Sequence, residues 1–298
     1  MTDPESIDED WTHRLVVLPH ETDRDTDAGT TYNDRLVRAE NALLDVLLTY
    51  GSEIHLLVWA DELAERAPRV LQAIDRDFER VSESERRWSS EYGTEYRFDL
   101  EEATLDIDCV FGERTDDGQS RRYDFKQILV RSGDEWLYYS VPDEIHERYV
   151  NLGALGAGDS TTDVERVESV LEEALSSIPG TYLFSRADAV SWETDGDRYA
   201  IQPGRGAIDL RVSREDGNDR VYDLARVEAV TVDRSNDVLG LRWRRPKASA
   251  SLGQLSERIG RHPGPPVRVQ FADGETFESV TDALRRLSSR CGYDVRIS

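Results

Sequence analysis

The sequence predicts an α+β protein of two domains, in which helices pack on a curved antiparallel sheet and a small antiparallel β barrel with a C-terminal helix follows. Three observations lead to this prediction. Apolar residues recur with a helical period over much of residues 32–81, the period changes to two from residue 95, and a glycine-rich segment precedes a second, strand-rich half.

Residues 1–30 have the composition of a polar N-terminal arm. The first ten residues contain five acids and no apolar run, unlike a secretory signal or a transit peptide. Only Arg14–Leu18 is apolar enough to form a short strand within this arm.

Two helices are predicted next. Tyr32–Tyr50 carries an apolar stripe and stops before Gly51, the residue type favoured after a helix C-terminus. Pro68–Val81 carries a similar stripe, and proline suits a first helical turn. We expect Ile54–Ala67 to lead into this second helix.

Strand patterns begin at Glu95. A hairpin through Ser132, Gly133 and Asp134 closes the series, and the helices are expected to cover one face of the resulting sheet. Alternating apolar residues mark the strands at Tyr96, Phe98 and Leu100, at Leu105, Ile107, Cys109 and Phe111, and at Tyr123 and Phe125.

The glycine-rich segment 153–160 is predicted to be a linker between domains at residues 31–152 and 161–298. The second domain should open with a helix that begins near Thr162, in a capping-box pattern with Glu165, and ends at Pro179. A final helix is expected over Thr276–Ser289. Strands are expected at Ala189–Trp192, Tyr199–Gln202, Ala207–Val212, Val221–Asp233, Val238–Trp243 and Val267–Phe271.

Two fold resemblances accompany these patterns. Tyr123–Val130 followed by Gly133, Asp134, Glu135, Trp136 and Leu137 is similar to the last hairpin of the nuclear-transport-factor and polyketide-cyclase class, which implies a cone fold with a pocket over residues 30–141. The order of elements over Gly180–Ser289 resembles a pleckstrin-homology-like barrel. Both folds host enzymes and binding modules, so neither assigns a function.

The composition predicts an acidic, salt-adapted surface. The chain has 61 acidic and 37 basic residues, for a formal net charge of -24. Only Lys126 and Lys247 are lysines, so 35 of the 37 basic residues are arginines. Such a surface stays hydrated in molar salt, and we expect a cytoplasmic protein of a halophilic archaeon that does not cross a membrane.

Histidine and cysteine give little support for a metal or disulfide site. The five histidines have no ligand spacing, and two cysteines cannot build a disulfide framework. We expect Cys109 and Cys291 to lie in packed interiors.

Asp106, Asp108, Asp124 and Lys126 form one candidate catalytic set. The spacing places Asp106 with Asp108, and Asp124 with Lys126, each pair on one strand face. This arrangement resembles that of the restriction-endonuclease-like nucleases, which implies Asp108 and Asp124 as ligands of Mg²⁺ and Lys126 as a catalytic residue. The favoured alternative is a solvated outer face of the sheet.

A cluster of basic residues between positions 242 and 268 is the strongest candidate binding site. Its only acid is Glu257. Clustered arginines bind carboxylates or phosphates in bidentate fashion, and an adjacent tryptophan could stack on a base. The residues are Arg242, Trp243, Arg244, Arg245, Lys247, Arg258, Arg261 and Arg268.

Molar salt weakens nucleic-acid binding, which favours an acidic protein surface over DNA or RNA as the partner; a solvated loop is the remaining interpretation. The sequence therefore predicts a non-enzymatic protein, without a cofactor, that binds a protein partner or a small ligand. The alternatives are a metal-dependent nuclease and a pocket enzyme of the polyketide-cyclase type.

Overall fold

The computed structural model divides the chain into two compact units, residues 1–186 and 187–298. It describes residues 10–18, 32–86, 93–102, 105, 110, 125–142, 147–156, 164–204, 207–214, 217, 219–244 and 264–297.

The first unit contains an eight-stranded antiparallel sheet. Its strand order is β3-β4-β2-β5-β6-β7-β1-β8. The strands are β1 (His13–Val17), β2 (Glu53–Val58), β3 (Glu79–Arg80), β4 (Thr94–Asp99), β5 (Phe125–Ser132), β6 (Glu135–Ser140), β7 (Arg148–Val150) and β8 (Thr181–Ser185).

Four helices of this unit lie among the described residues: α1 (Tyr32–Leu47), α2 (Ala60–Arg66), α3 (Pro68–Asp77) and α4 (Val164–Ser176). The apolar stripe of α1 is buried together with alternate residues of the central strands, such as Ile54, Leu56 and Ile128. Helix α1 also packs against α4. The prediction of a mixed helix and sheet fold is thus confirmed.

Two segments of this unit differ from the prediction. Ile54–Val58 does not lead into a helix but belongs to β2, an inner strand between β4 and β5. Both faces of β2 are covered, so its apolar run lacks the alternation that marks a strand. The short strand predicted near Arg14–Leu18 is present as β1, but it lies inside the sheet between β7 and β8 and not in a separate arm.

The glycine-rich segment does not coincide with the division into units. Leu152–Gly156 forms a 3-10 helix, and Leu152 and Leu155 are buried in the core of the first unit. The following helix α4 packs on α1, and β8 pairs with β1. These contacts place residues 164–185 in the first unit; residues 157–163 lie outside the described part.

The second unit contains two four-stranded sheets and one described helix. The first sheet, in the order β12-β11-β10-β9, is antiparallel. It consists of β9 (Ser191–Thr194), β10 (Asp197–Gly204), β11 (Ala207–Ser213) and β12 (Arg220–Asp223). The predicted strand Val221–Asp233 is interrupted after β12 by a 3-10 helix, Leu224–Arg226, because the Asp223 carboxylate accepts a hydrogen bond from the Ala225 amide.

The second sheet has the order β15-β14-β13-β16. Its strands are β13 (Val227–Asp233), β14 (Val238–Trp243), β15 (Arg268–Gln270) and β16 (Asp294–Ile297), and helix α5 (Gly274–Cys291) precedes β16. Strand β16, which no pattern in the sequence predicts, pairs in parallel with β13. No helix among the described ranges is long and apolar enough to span a membrane.

Candidate functional site

The second sheet of the second unit has a buried face and a charged outer face. On β14, Leu239 and Leu241 are buried while Arg242 is exposed, as expected for a strand with one covered face. The inner stripe of α5, including Val280, Ala283 and Leu284, is also buried. The alternation therefore directs Gly240 and Arg242 outward.

One row of residues crosses this outer face. Arg268 pairs with Gly240, Gly240 with Thr231, and Thr231 with Arg296. Residues paired in this way share a face, so two arginines on the edge strands flank a small glycine and a threonine. Arg242 lies two residues along β14 from Gly240, on the same face. We call Arg242, Arg268 and Arg296 the arginine face.

Two of these arginines have acidic neighbours. Arg242 Nε lies 3.1 Å from Glu228 Oε2, and Arg296 Nη2 lies 3.4 Å from Asp294 Oδ2. All four side chains are more than half exposed. Exposed pairs of this kind contribute about 0–1 kcal/mol, so an incoming carboxylate can replace the present partner at small cost.

Trp243 and Arg244 have contacts within the second unit. The Trp243 indole N–H donates to the Pro266 carbonyl at 2.6 Å, and its ring centroid lies 5.8 Å from that of Tyr222. The Arg244 guanidinium donates to the Gly292 carbonyl at 2.5 Å, next to the C-terminus of α5. Both side chains therefore support the fold beside the arginine face.

The structure describes only some of the remaining predicted binding residues, and their role in binding stays a prediction. Arg268 lies on the arginine face, and Arg296, 28 positions away in the chain, joins it through the parallel pairing of β13 and β16. Arg245, Lys247, Arg258 and Arg261 lie outside the described residues.

Lys126 is the one member of the predicted nuclease set that the structure describes. It lies on β5 with its Nζ 5.4 Å from the centroid of the Trp59 ring, a cation–π contact. Strand β5 continues into the predicted hairpin with β6. Asp106, Asp108 and Asp124 are outside the described residues, so the nuclease and its Mg²⁺ stay a prediction. Over the ranges described, no three or more His, Cys, Asp or Glu side chains form a metal-binding group.

His55 lies between two carboxylates, and no motif in the sequence points to this arrangement. His55 Nδ1 lies 3.0 Å from Glu95 Oε1, and Nε2 lies 3.2 Å from Glu53 Oε2. His55 and Glu95 are buried. Recognition of β2 as a strand would have placed Glu53 and His55 on one face.

Glu53 also lines a cavity of about 480 Å³. Five carboxylates and one arginine surround this space, so it repels anionic ligands such as nucleic acid. The lining residues are Glu53, Asp77, Glu79, Arg97, Phe98, Asp99 and Glu102.

The first unit also holds a fully buried ion pair. Arg148 Nε lies 3.0 Å from Glu40 Oε2, and Glu40 Oε1 accepts hydrogen bonds from the Tyr138 and Ser140 hydroxyls at 2.7 Å each. Glu40 and Arg148 are 0% and 1% exposed. Solvent cannot reach the pair, so it has a structural role.

Cys291 is buried at the end of α5, as predicted, whereas Cys109 lies outside the described part. Burial raises the pKa of the Cys291 thiol to about 12, and the nearby Asp223 adds to the effect. The thiolate is the reactive form, so this environment disfavours a redox or nucleophilic role for Cys291.

Comparisons of the chain with protein-family models, with curated proteins and with solved structures find no match.

Proposed function

We propose that the chain is a non-enzymatic, cytoplasmic binding protein of a halophile that recognises an acidic surface of a partner protein through the arginine face. The observation that supports this most is the row in which Arg268 and Arg296 flank Gly240 and Thr231 on an exposed sheet face. Small central residues let a partner approach, and planar guanidinium groups on both sides can bind carboxylates in bidentate fashion.

High salt and the contacts of Trp243 favour a protein over a nucleic acid as the ligand. At molar salt the counterion release that drives nucleic-acid binding is small, whereas guanidinium–carboxylate contacts that lose their water when a protein docks are screened less. Proteins of salt-adapted cells have acidic surfaces in general. The one described tryptophan of the cluster, Trp243, is engaged with Tyr222 and Pro266, which gives no support to base stacking.

The fold of each unit is also part of the proposal. We propose that each unit is an independent domain, the first a cone-like α+β domain and the second a barrel-like domain closed by α5. The two four-stranded sheets and the helix of the second unit support the barrel. The strand β16 after α5 departs from the order of elements in the pleckstrin-homology-like class.

A direct binding comparison tests the ligand class. Fluorescently labelled polyglutamate and a duplex DNA oligonucleotide of similar charge would each be titrated with the full chain in 2 M KCl. We expect anisotropy to rise with polyglutamate and to stay flat with DNA. Binding of DNA alone would replace the proposal with the nucleic-acid alternative.

A further inference from the structure

Helix α4 exposes a mainly acidic stripe on the side opposite its buried residues, with Arg166 as its one cation. Glu165, Ser169 and Glu173 are spaced by four residues and are exposed, while Val167 and Leu171 are buried. At a rise of about 1.5 Å per residue, the Cα atoms of Glu165 and Glu173 are about 12 Å apart along the helix.

The arginine face presents a matching spacing. Arg268 and Arg296 lie on the two edge strands, with β14 and β13 between them. Neighbouring strands are about 4.8 Å apart, so three steps separate these two backbone positions by about 14 Å. A helix that crosses the strands can therefore place one glutamate near each arginine and its central serine over Gly240 and Thr231.

We propose that a second copy of this chain docks its helix α4 across the arginine face, so that Glu165 and Glu173 of one copy pair with Arg268 and Arg296 of another. This inference rests on the proposed function and names its partner.

Charge and shape support this occupant. With a formal net charge of -24, two copies repel each other over most of their surfaces, and the arginine face is a place where an acidic surface can approach. The acidic cavity beside Glu53 is another acidic surface, but it is concave and cannot lie against the arginine face. The stripe of α4 is convex and can lie against it. The pair Arg296–Asp294 is exposed and exchangeable.

The contact joins two different surfaces, so it is heterologous and can continue from copy to copy. Exposed ion pairs are individually weak, so we expect the two copies to associate appreciably only at high protein concentration. Association should therefore depend on protein concentration.

Sedimentation equilibrium of the full chain in 2 M KCl, over a range of protein concentrations, tests the proposal. The wild type should show a mass that rises with concentration. Arg268→Glu/Arg296→Glu and Glu165→Arg/Glu173→Arg should each stay monomeric, because each makes the two surfaces alike in charge. An equimolar mixture of these two variants should associate again, because each surface then meets its opposite.

Glu62→Arg/Glu65→Arg on α2 is the matched control, since both residues are exposed and the charge change is the same; it should associate like the wild type. A melting curve for each variant establishes that it is folded, and association in the mixture is the decisive measurement.

A wild type that stays monomeric, or a mixture that fails to associate, overturns the inference. If polyglutamate still binds in that case, the proposed function stands and only its partner changes.

Discussion

Asp209 and Asp223 lie directly opposite each other across β11 and β12, and both carboxyl groups are half-buried. Burial raises the pKa of Asp209, and the charge of Asp223 raises it further. Burial also raises the pKa of Asp223, although the Ala225 amide and Arg226 act in the opposite direction. The Asp209 carboxylate lies over Gly204, where an added Cβ would collide with Oδ2.

The raised pKa of Asp209 makes the stability of the folded state depend on pH. A carboxyl group whose pKa is raised on folding favours the folded state at low pH, below its unfolded value of about 3.8, and this contribution is lost as the pH rises through the folded pKa. Asp209→Asn removes the ionisation. We therefore expect this variant to unfold at higher denaturant concentration than the wild type at pH 7, with the difference shrinking towards pH 3.5.

Asp233→Asn is the control with the opposite sign. Hydrogen bonds from Ser235 and Asn236 lower the pKa of Asp233, so its stabilising effect is present above the unfolded pKa and is lost as the pH falls. This variant should be less stable than the wild type at pH 7. Equal shifts for both variants at every pH would argue against the burial of Asp209.

The buried pair of Glu40 and Arg148 predicts a large effect of a single substitution. Arg148→Met leaves the Glu40 carboxylate without its cation inside the core, which should cost about 3–5 kcal/mol in the free energy of unfolding. Glu40→Gln combined with Arg148→Met removes both charges and should recover much of this loss. Denaturant titrations of the single and double variants measure the difference.

Arg285→Met is the matched control for that substitution. Arg285 forms an ion pair with Asp282 at 3.0 Å on the surface of α5, with side chains 31% and 54% exposed. Its loss should cost about 0–1 kcal/mol. If Arg148→Met were as mild as this control, the pair of Glu40 and Arg148 would have to be open to water.

The sequence predicts helices and strands well where their apolar residues recur with a clear helical or strand period. The strand Val238–Trp243 has the predicted bounds, and the final helix starts two residues before and ends two residues after its prediction. The helix bounds extend because Asp273 caps the N-terminus and Gly292, with φ of 70°, ends the C-terminus. Buried inner strands such as β2 lack alternation and were missed.

Only part of the candidate site follows from local sequence. The cluster at positions 242–268 supplied Arg242 and Arg268, but the outward direction of these side chains depends on the register of β14 with β15. Arg296 belongs to the same face through a parallel pair that forms after α5. Pairing between segments distant in sequence is a tertiary property, and periodicity does not reveal it.

The acidic composition predicts stabilisation by salt. Raising KCl from about 0.1 to 2 M shortens the screening length from about 10 Å towards 3 Å or less, which weakens repulsion among the 61 acidic residues and strengthens apolar burial. We expect the melting temperature to rise substantially over this range, as measured by circular dichroism. A flat or falling curve would contradict the interpretation as a halophilic protein.

Binding of polyglutamate by an arginine-face variant tests the central claim most directly. In 2 M KCl, Arg268→Glu/Arg296→Glu should weaken the affinity at least about tenfold, or ~1.4 kcal/mol, while its melting temperature stays close to that of the wild type. Arg198→Glu/Arg211→Glu carries the same charge change on exposed residues of the other sheet and should bind like the wild type. Equal loss of affinity in both variants, or none in the first, would contradict a binding site on the arginine face.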